Sequence, residues 1–387
     1  MTPKIKNPFI ITGYLSPEYF CNRRMETATM MANIENGRNT ALISERRMGK
    51  TGLIEHVYHQ KAIEKNYYTF LIDIYSTGTL KEFVFLLSKH IFETLKPRGQ
   101  KIIDKFFSTI SSLRPALKFN EITGAPEFNI GLGEIRQPEL SLEQIFNYLE
   151  SANKRCVVAI DEFQQIAKYP EKNIEALLRT HIQRCKNANF IFAGSIHHMM
   201  QDIFFTASRP FYQSVSLVKL GPIEASEYVD FVSGFFIDAG VTITENEISC
   251  VYTLLDGHTW YMQAIFNELY ALTSNGDAID TNTVGFAIRN VVMSYEPVYQ
   301  NILTNLTERQ KEMLIAIAKE DVATEITSIE FIRKHGLQSA SSVQSSARQL
   351  ASKEIIIKEK SRYFIPDRFF AIWLRMTYGA GFSFYQA

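Results

Sequence analysis

The chain has 387 residues, too many for one hydrophobic core, so two or three domains are expected. Its 41 basic and 41 acidic side chains cancel, which excludes a global electrostatic pull toward nucleic acid or anionic membrane and leaves only local patches for such partners. The four cysteines, Cys21, Cys156, Cys185 and Cys250, match no CxxC metal pattern or disulfide framework, and no run approaches 18 apolar residues, so a soluble cytoplasmic protein with no membrane span is expected.

From the N-terminus to about residue 220, short apolar runs alternate with stretches of helical spacing, the signature of an α/β parallel sheet with helices on both faces. The strands fall at Thr40 to Ile43, Thr69 to Ile74, Cys156 to Ile160, Phe190 to Ala193 and near Val215 to Leu220. Helices are expected over Leu80 to Leu95 and over Ser141 to Ala152, the second opened by Ser141-Leu-Glu-Gln144 as a capping box. Arg114 to Glu139 alternates apolar and polar residues on both sides of Thr123-Gly-Ala-Pro126, which predicts a β-hairpin inserted into the sheet domain.

After Gly221-Pro222 the strand signals stop, and the chain to about residue 300 reads as a small helical domain whose helices end at Gly240, Gly257 and Gly276. A third domain follows to residue 387. Thr307-Glu-Arg-Gln310 caps a first helix, Ser328 to His335 is a second, Gly336-Leu337 turns, and Ser341 to Lys353 is a third. Ile355 to Lys358 and Arg362 to Ile365 then alternate as a hairpin, completing the order of a winged helix-turn-helix. The run PDRFFAIWLRM is an apolar helix expected to pack back on it.

The chemistry is concentrated in two segments. Ala41 to Thr51, sequence ALISERRMGKT, is an apolar strand, a tight loop and a helix start, the context of the GxxxxGK[ST] phosphate loop. Ser44 stands where that pattern has its first glycine. Lys50 is positioned for β- and γ-phosphates, the backbone from Arg47 to Thr51 for a polyphosphate, and the Thr51 hydroxyl for Mg2+. The second segment, Val157 to Glu162, is an apolar strand ending in two carboxylates, Asp161 for the metal and Glu162 to orient or deprotonate a water. Together they predict a P-loop nucleoside-triphosphate site that takes Mg2+, with ATP and GTP both open from these motifs. The adjacent His197-His198 lack a third ligand nearby and are not read as a metal site.

From about Phe9 to Phe382 the chain resembles the archaeal-type ATPase family of AAA+-like, signal-transducing P-loop NTPases. Tyr19-Phe-Cys-Asn-Arg-Arg-Met-Glu26 resembles the family's box on the base and sugar side of the nucleotide, which implies roles for Asn22 and Arg23. Ser44-Glu-Arg-Arg-Met-Gly-Lys-Thr51 resembles its phosphate loop, adding Arg46, Arg47, Met48, Gly49 and Gly52 to the binding residues. Phe192-Ala-Gly-Ser195 is similar to the strand whose polar tip senses the γ-phosphate, so Ser195 is implied there. Asp256-Gly-His-Thr-Trp-Tyr-Met-Gln263 resembles the lid motif, which implies Gly257 and Thr259.

The family's arginine after the sensing strand is missing. Arg209, in Ser208-Arg-Pro-Phe-Tyr-Gln213, lies nearest and is the candidate to act in cis; Arg179 and Arg184 are the alternatives for a neighbouring subunit. The resemblance implies an ATP-driven switch, slow in turnover, that binds nucleotide between the sheet domain and the lid and signals through the winged helix. Two alternatives stand beside it: a nucleotide-regulated DNA-binding regulator or loader, and a non-hydrolysing, nucleotide-stabilised interaction protein. From Thr307 to Gly379 there are twelve basic and nine acidic side chains, an excess of three, which is small for DNA binding.

Overall fold

Alternate residues of the central strands enter two different cores. In the computed structural model, which describes residues 6–95, 110, 117–119, 126–128, 135–195 and 197–379, these strands are β1 (Thr40–Ile43), β2 (Tyr67–Asp73), β5 (Arg155–Asp161), β6 (Ala188–Gly194) and β7 (Ser216–Lys219). Ala41, Phe70, Ile72, Val158, Ile160, Phe190 and Phe192 lie in one apolar cluster. Their neighbours Leu42, Tyr67, Val157, Ala159, Ile191 and Ala193 lie in the other, with Leu53, Ile54 and Val57 of the helix Lys50–Tyr58. A period of two places the two sets on opposite faces, and both faces are covered, which is why the runs are continuously apolar.

The sheet is parallel, in the order β2-β5-β6-β1-β7. Its register sets Ile43 beside Gly194 and Asp73 beside Asp161, so the carboxyl ends of the strands finish level with one another. In such sheets, ligands bind at that end. All five expected strands are present, each within about two residues of its expected limits.

Within the Arg114 to Glu139 stretch, β3 (Leu117–Phe119) and β4 (Pro126–Phe128) pair antiparallel as a hairpin; the turn between them is outside the described residues. The expected capping box at Ser141 is not formed. The helix begins earlier, at Pro138–Glu150, with proline in its first turn and no side-chain cap, and the Ser141 hydroxyl donates to the Gln137 carbonyl one turn back. Proline fixes the start because it lacks the N–H that a first turn leaves unpaired anyway.

Two compact units emerge: Thr12–Pro222, which holds the sheet, and Met1–Ile11 with Ile223–Ala387. In the second unit the helices Ala225–Asp238, Glu245–Leu254, Thr259–Leu272, Thr281–Ser294 and Glu296–Thr304 precede the winged helix. Phe9 is fully buried among Phe231, Phe235, Phe236, Phe266 and Tyr270; the Asn7 side chain donates to the Asn267 carbonyl, and the Asn267 side chain donates to the Phe9 carbonyl. Tyr228, Phe236, Tyr261 and Phe266 of this segment are buried and therefore core, while Phe286 is exposed.

The winged helix comprises helices Glu308–Glu320, Ile329–Lys334 and Ala340–Ser352 and strands β9 (Ile357–Glu359) and β10 (Arg362–Phe364). The two residues of β8 (Val322–Ala323) add a third strand, too short to carry a periodicity in sequence. Arg368–Tyr378 is the closing helix, and its Trp373 is fully buried.

Candidate nucleotide site

The phosphate-loop segment leaves β1 and enters the helix Lys50–Tyr58 through Arg47 and Gly49, both at positive φ, 66° and 89°. Successive residues of this kind turn backbone N–H groups to one side as an anion-binding concavity, and glycine adopts the conformation without strain. The helix start carries no side-chain cap, so its first-turn N–H groups and its dipole are left for a ligand. Arg23, the buried fifth residue of the box, donates to the Met48 carbonyl at 3.3 Å and pairs with Glu26 at 3.1 Å. The box thus braces the loop from behind.

Lys50 is almost wholly buried. Its ammonium donates to Ser44 Oγ and to the Glu45 carbonyl, both at 3.2 Å. Burial pushes its pKa below the ordinary lysine value, opposed by the charges of Asp161 and then Glu162. Ser44, in the place of the expected glycine, therefore holds the lysine that the loop would offer to phosphate.

Thr51 Oγ1 donates to Asp161 Oδ2 at 2.6 Å, and Asp161 Oδ1 accepts the Glu162 N–H at 2.9 Å. A hydroxyl and a carboxylate in contact are hard oxygen donors that fit magnesium, which takes one or two carboxylates together with substrate phosphates. Among the described residues no group of three or more His, Cys, Asp or Glu could hold a metal.

Glu162 has φ 55°, a strained conformation for a side chain of its size. Ser195, at the end of β6, places its hydroxyl 3.0 and 2.9 Å from the two Glu162 oxygens, and Gln164 Nε2 donates to Glu162 Oε2. Lys50, Thr51, Asp161, Glu162 and Ser195 are therefore joined to one another or to one strand end through β1, β5 and β6. Of ten non-glycine residues at positive φ among the described residues, six, Asn22, Arg23, Arg47, Glu162, Gln213 and Asp256, lie in the segments singled out from sequence for this site. Strain of this kind concentrates at functional sites.

Not every expected residue joins the cluster. Arg209 pairs with Glu175 at 2.8 Å and Asp202 at 3.4 Å, so its guanidinium is committed to two carboxylates. Arg46 and Arg47 are exposed, Met48 is buried, Asn22 accepts the Arg24 N–H, and Gly52 faces Phe20. Gly257, at φ 64°, closes the helix before it by donating to the Tyr252 carbonyl, and Thr259 begins the next; both belong to the second unit. Gln164 has no role expected from sequence, because a glutamine three residues past the end of β5 has no chemical signature until the turn Phe163–Lys168 folds it back.

A probable winged helix domain family model matches residues 297–376. Among solved structures, a Walker-type ATPase of Pyrococcus abyssi superposes with a TM-score of 0.65 at 21% identity, covering 95% of this chain and 99% of that one. The fold is that of a Walker-type P-loop ATPase with a winged helix. The ORC2 protein of Aeropyrum pernix, solved as ADPNP–ADP complexes, gives 0.57 at 12% identity over 96% of this chain and 97% of its own. The ORC1 protein of the same organism, solved with DNA, gives 0.50 at 12% over 96% and 98%. No curated protein matches the sequence. Among the described residues no helix is long and apolar enough to cross a membrane.

Proposed function

We propose that the chain is a Mg-ATP-binding switch that hydrolyses ATP slowly and passes its nucleotide state to the winged helix. The reading rests on one observation: the buried Lys50, the Thr51–Asp161 pair and the Glu162–Ser195 pair gather at the carboxyl ends of adjacent parallel strands. The loop backbone and Lys50 hold the β- and γ-phosphates, with Arg46, Arg47, Met48, Gly49 and Gly52 in the loop and helix start. Thr51 and Asp161 hold magnesium, which neutralises charge on the polyphosphate when bound. Glu162 orients and takes the proton of water, and Ser195 turns to the γ-phosphate.

Slow turnover follows from Arg209, which would have to leave Glu175 and Asp202 to reach a transition state. Transition-state arginines of this kind contribute about 10³-fold or more in rate. Coupling is supported within the second unit. Asp256 of the lid-like segment pairs with Arg368 at 2.7 Å, Tyr261 meets Phe369 edge to face at 4.7 Å, and the Tyr261 hydroxyl donates to the Pro366 carbonyl. A change that reaches Asp256 to Gln263 is thereby carried to the winged helix.

Calorimetric titration with Mg-ATP tests the site. Lys50→Ala should weaken binding by about ten- to a hundredfold, since charge-assisted hydrogen bonds contribute about 1.5–3 kcal/mol. Equal binding by mutant and wild type would sink the assignment.

A second reading, DNA contact, is favoured by one surface. Gln344, Ser345 and Arg348 on the third helix and Lys358, Lys360 and Arg362 on the wing are exposed, while Gln349 is taken by Gln310 at 2.6 Å. Changing Lys358, Lys360 and Arg362 together to Ala should flatten the salt dependence of duplex binding. Absence of any binding by wild type at low salt would leave the winged helix as a protein-docking module.

A further inference from the structure

We infer that Gln164 is a positioning residue for Glu162, holding that carboxylate in place when the Ser195 hydroxyl turns away from it to a phosphoryl oxygen; this rests on the hydrolysis reading above. A serine hydroxyl carries one proton. Ser195 Oγ lies within hydrogen-bond reach of both Glu162 oxygens, so that proton is committed to Glu162 in the absence of nucleotide. It cannot serve Glu162 and a γ-phosphate oxygen together. The side-chain amide of Gln164 is the other donor to Glu162, and it comes from the turn that Glu162 itself begins.

The amide is built into its slot. Gln164 is 3% exposed, and its Oε1 is buried without a partner. Reversing the amide would set that oxygen against the Glu162 carboxylate, so the orientation with Nε2 toward Glu162 is fixed by charge. A Cβ built on Gly194, the residue before Ser195, would collide with Gln164 Oε1 and the Met200 thioether. The absence of a side chain at Gly194 is what lets Gln164 lie under the end of β6. The adjacent Gln165 anchors the same turn by donating to the Thr77 carbonyl at 2.8 Å. Leaving an amide oxygen orphaned in the interior is unfavourable, and its retention is explained if the nitrogen end serves Glu162.

The experiment compares steady-state ATP turnover and calorimetric Mg-ATP binding for wild type, Gln164→Ala, Gln164→Glu, Glu162→Gln and the Glu162→Gln/Gln164→Ala double mutant. Gln164→Ala should lower kcat by about ten- to a hundredfold, the range expected for misplacing a reacting group, with Mg-ATP affinity within about twofold of wild type. In the Glu162→Gln background the same change should have no further effect, because Gln164 acts only through that carboxylate. Gln164→Glu keeps the volume and sets a second carboxylate beside Glu162. The amide donor to Glu162 is then gone, so kcat should fall by about ten- to a hundredfold here too, with Mg-ATP affinity within about twofold of wild type. This arm decides the matter even if Gln164→Ala fails to fold.

Multiplicative losses in the double mutant, or an unchanged kcat in Gln164→Ala or in Gln164→Glu, would each overturn the role of Gln164 while leaving Glu162 as the base. A Glu162→Gln enzyme as fast as wild type would overturn the hydrolysis reading, and the Gln164 role with it.

Discussion

Most helices of the sheet unit start by different means from those of the winged helix; the exception is Leu80–Leu95, where the Thr79 hydroxyl accepts the Glu82 N–H at 3.2 Å. In the sheet unit the helices beginning at Arg24, Lys50, Lys61, Pro138 and Ile174 have no side-chain hydrogen bond at their N-caps. In the winged helix the four helices beginning at Glu308, Ile329, Ala340 and Arg368 are each closed by a side chain, from Thr307, Ser328, Ser339 and Asp367. A capped terminus has spent its N–H groups on its own chain; an uncapped one can offer them elsewhere. Lys50 begins the terminus where this matters, because there the free N–H groups meet a buried ammonium and two carboxylates. One region is organised around groups held ready for a ligand, the other around local closure.

The largest expected effect breaks the first half of that comparison. Glu162→Gln keeps the shape of the strand end and leaves Asp161 and Thr51 paired, but removes the base. Turnover should fall by about 10²-fold or more while Mg-ATP still binds. Single-turnover hydrolysis beside equilibrium binding separates the two quantities, and unchanged turnover would remove Glu162 from the chemistry.

The second effect is a matter of stability. Thr307 and Gln310 form a complete capping box, so Thr307→Ala should cost about 1 kcal/mol. The loss should appear as faster amide hydrogen exchange across Glu308–Glu320. Asn173→Ala, at an N-cap with no side-chain bond, should change exchange across Ile174–Arg184 far less. Equal costs at the two positions would mean that the capping contrast has no energetic content.

The same contrast governs what could be read from sequence. Thr307-Glu-Arg-Gln310 is a local signal, complete within four residues, and it placed the first helix of the winged helix correctly. Ser141-Leu-Glu-Gln144 carries the same letters, yet Pro138 begins the helix first and turns Ser141 into a buried interior residue. The strands were legible because burial on both faces leaves uninterrupted apolar runs. Lys50, Thr51, Asp161 and Glu162 were legible as chemical types in the right context. Their mutual contacts were not, since Thr51 and Asp161 are 110 residues apart and meet only through strand order. The engagement of Arg209 by Glu175 and Asp202 and the folding back of Gln164 under Gly194 depend on turns and a helix face that no local pattern specifies.

The smallest expected effect concerns the link between the lid-like segment and the winged helix. Arg368 is 12% exposed and Asp256 52% exposed, so water screens the pair, and a double-mutant cycle of Arg368→Ala with Asp256→Ala should give a coupling of about 0.2–1 kcal/mol. Its value lies in position more than in strength. Asp256 has φ 49° at the entry to the lid-like segment, while the Arg368 guanidinium also lies 5.9 Å from the centre of the Phe364 ring on β10. One side chain thus touches both parts. Arg368→Lys should keep part of the ion pair and lose the planar contact with Phe364, giving a coupling to Asp256 between those of wild type and alanine. Hydrogen exchange in the helix Thr259–Leu272 should rise in the same order. If the cycle gave no coupling and exchange there did not change, the ion pair would carry nothing, and the Tyr261–Phe369 ring contact alone would have to join the two parts.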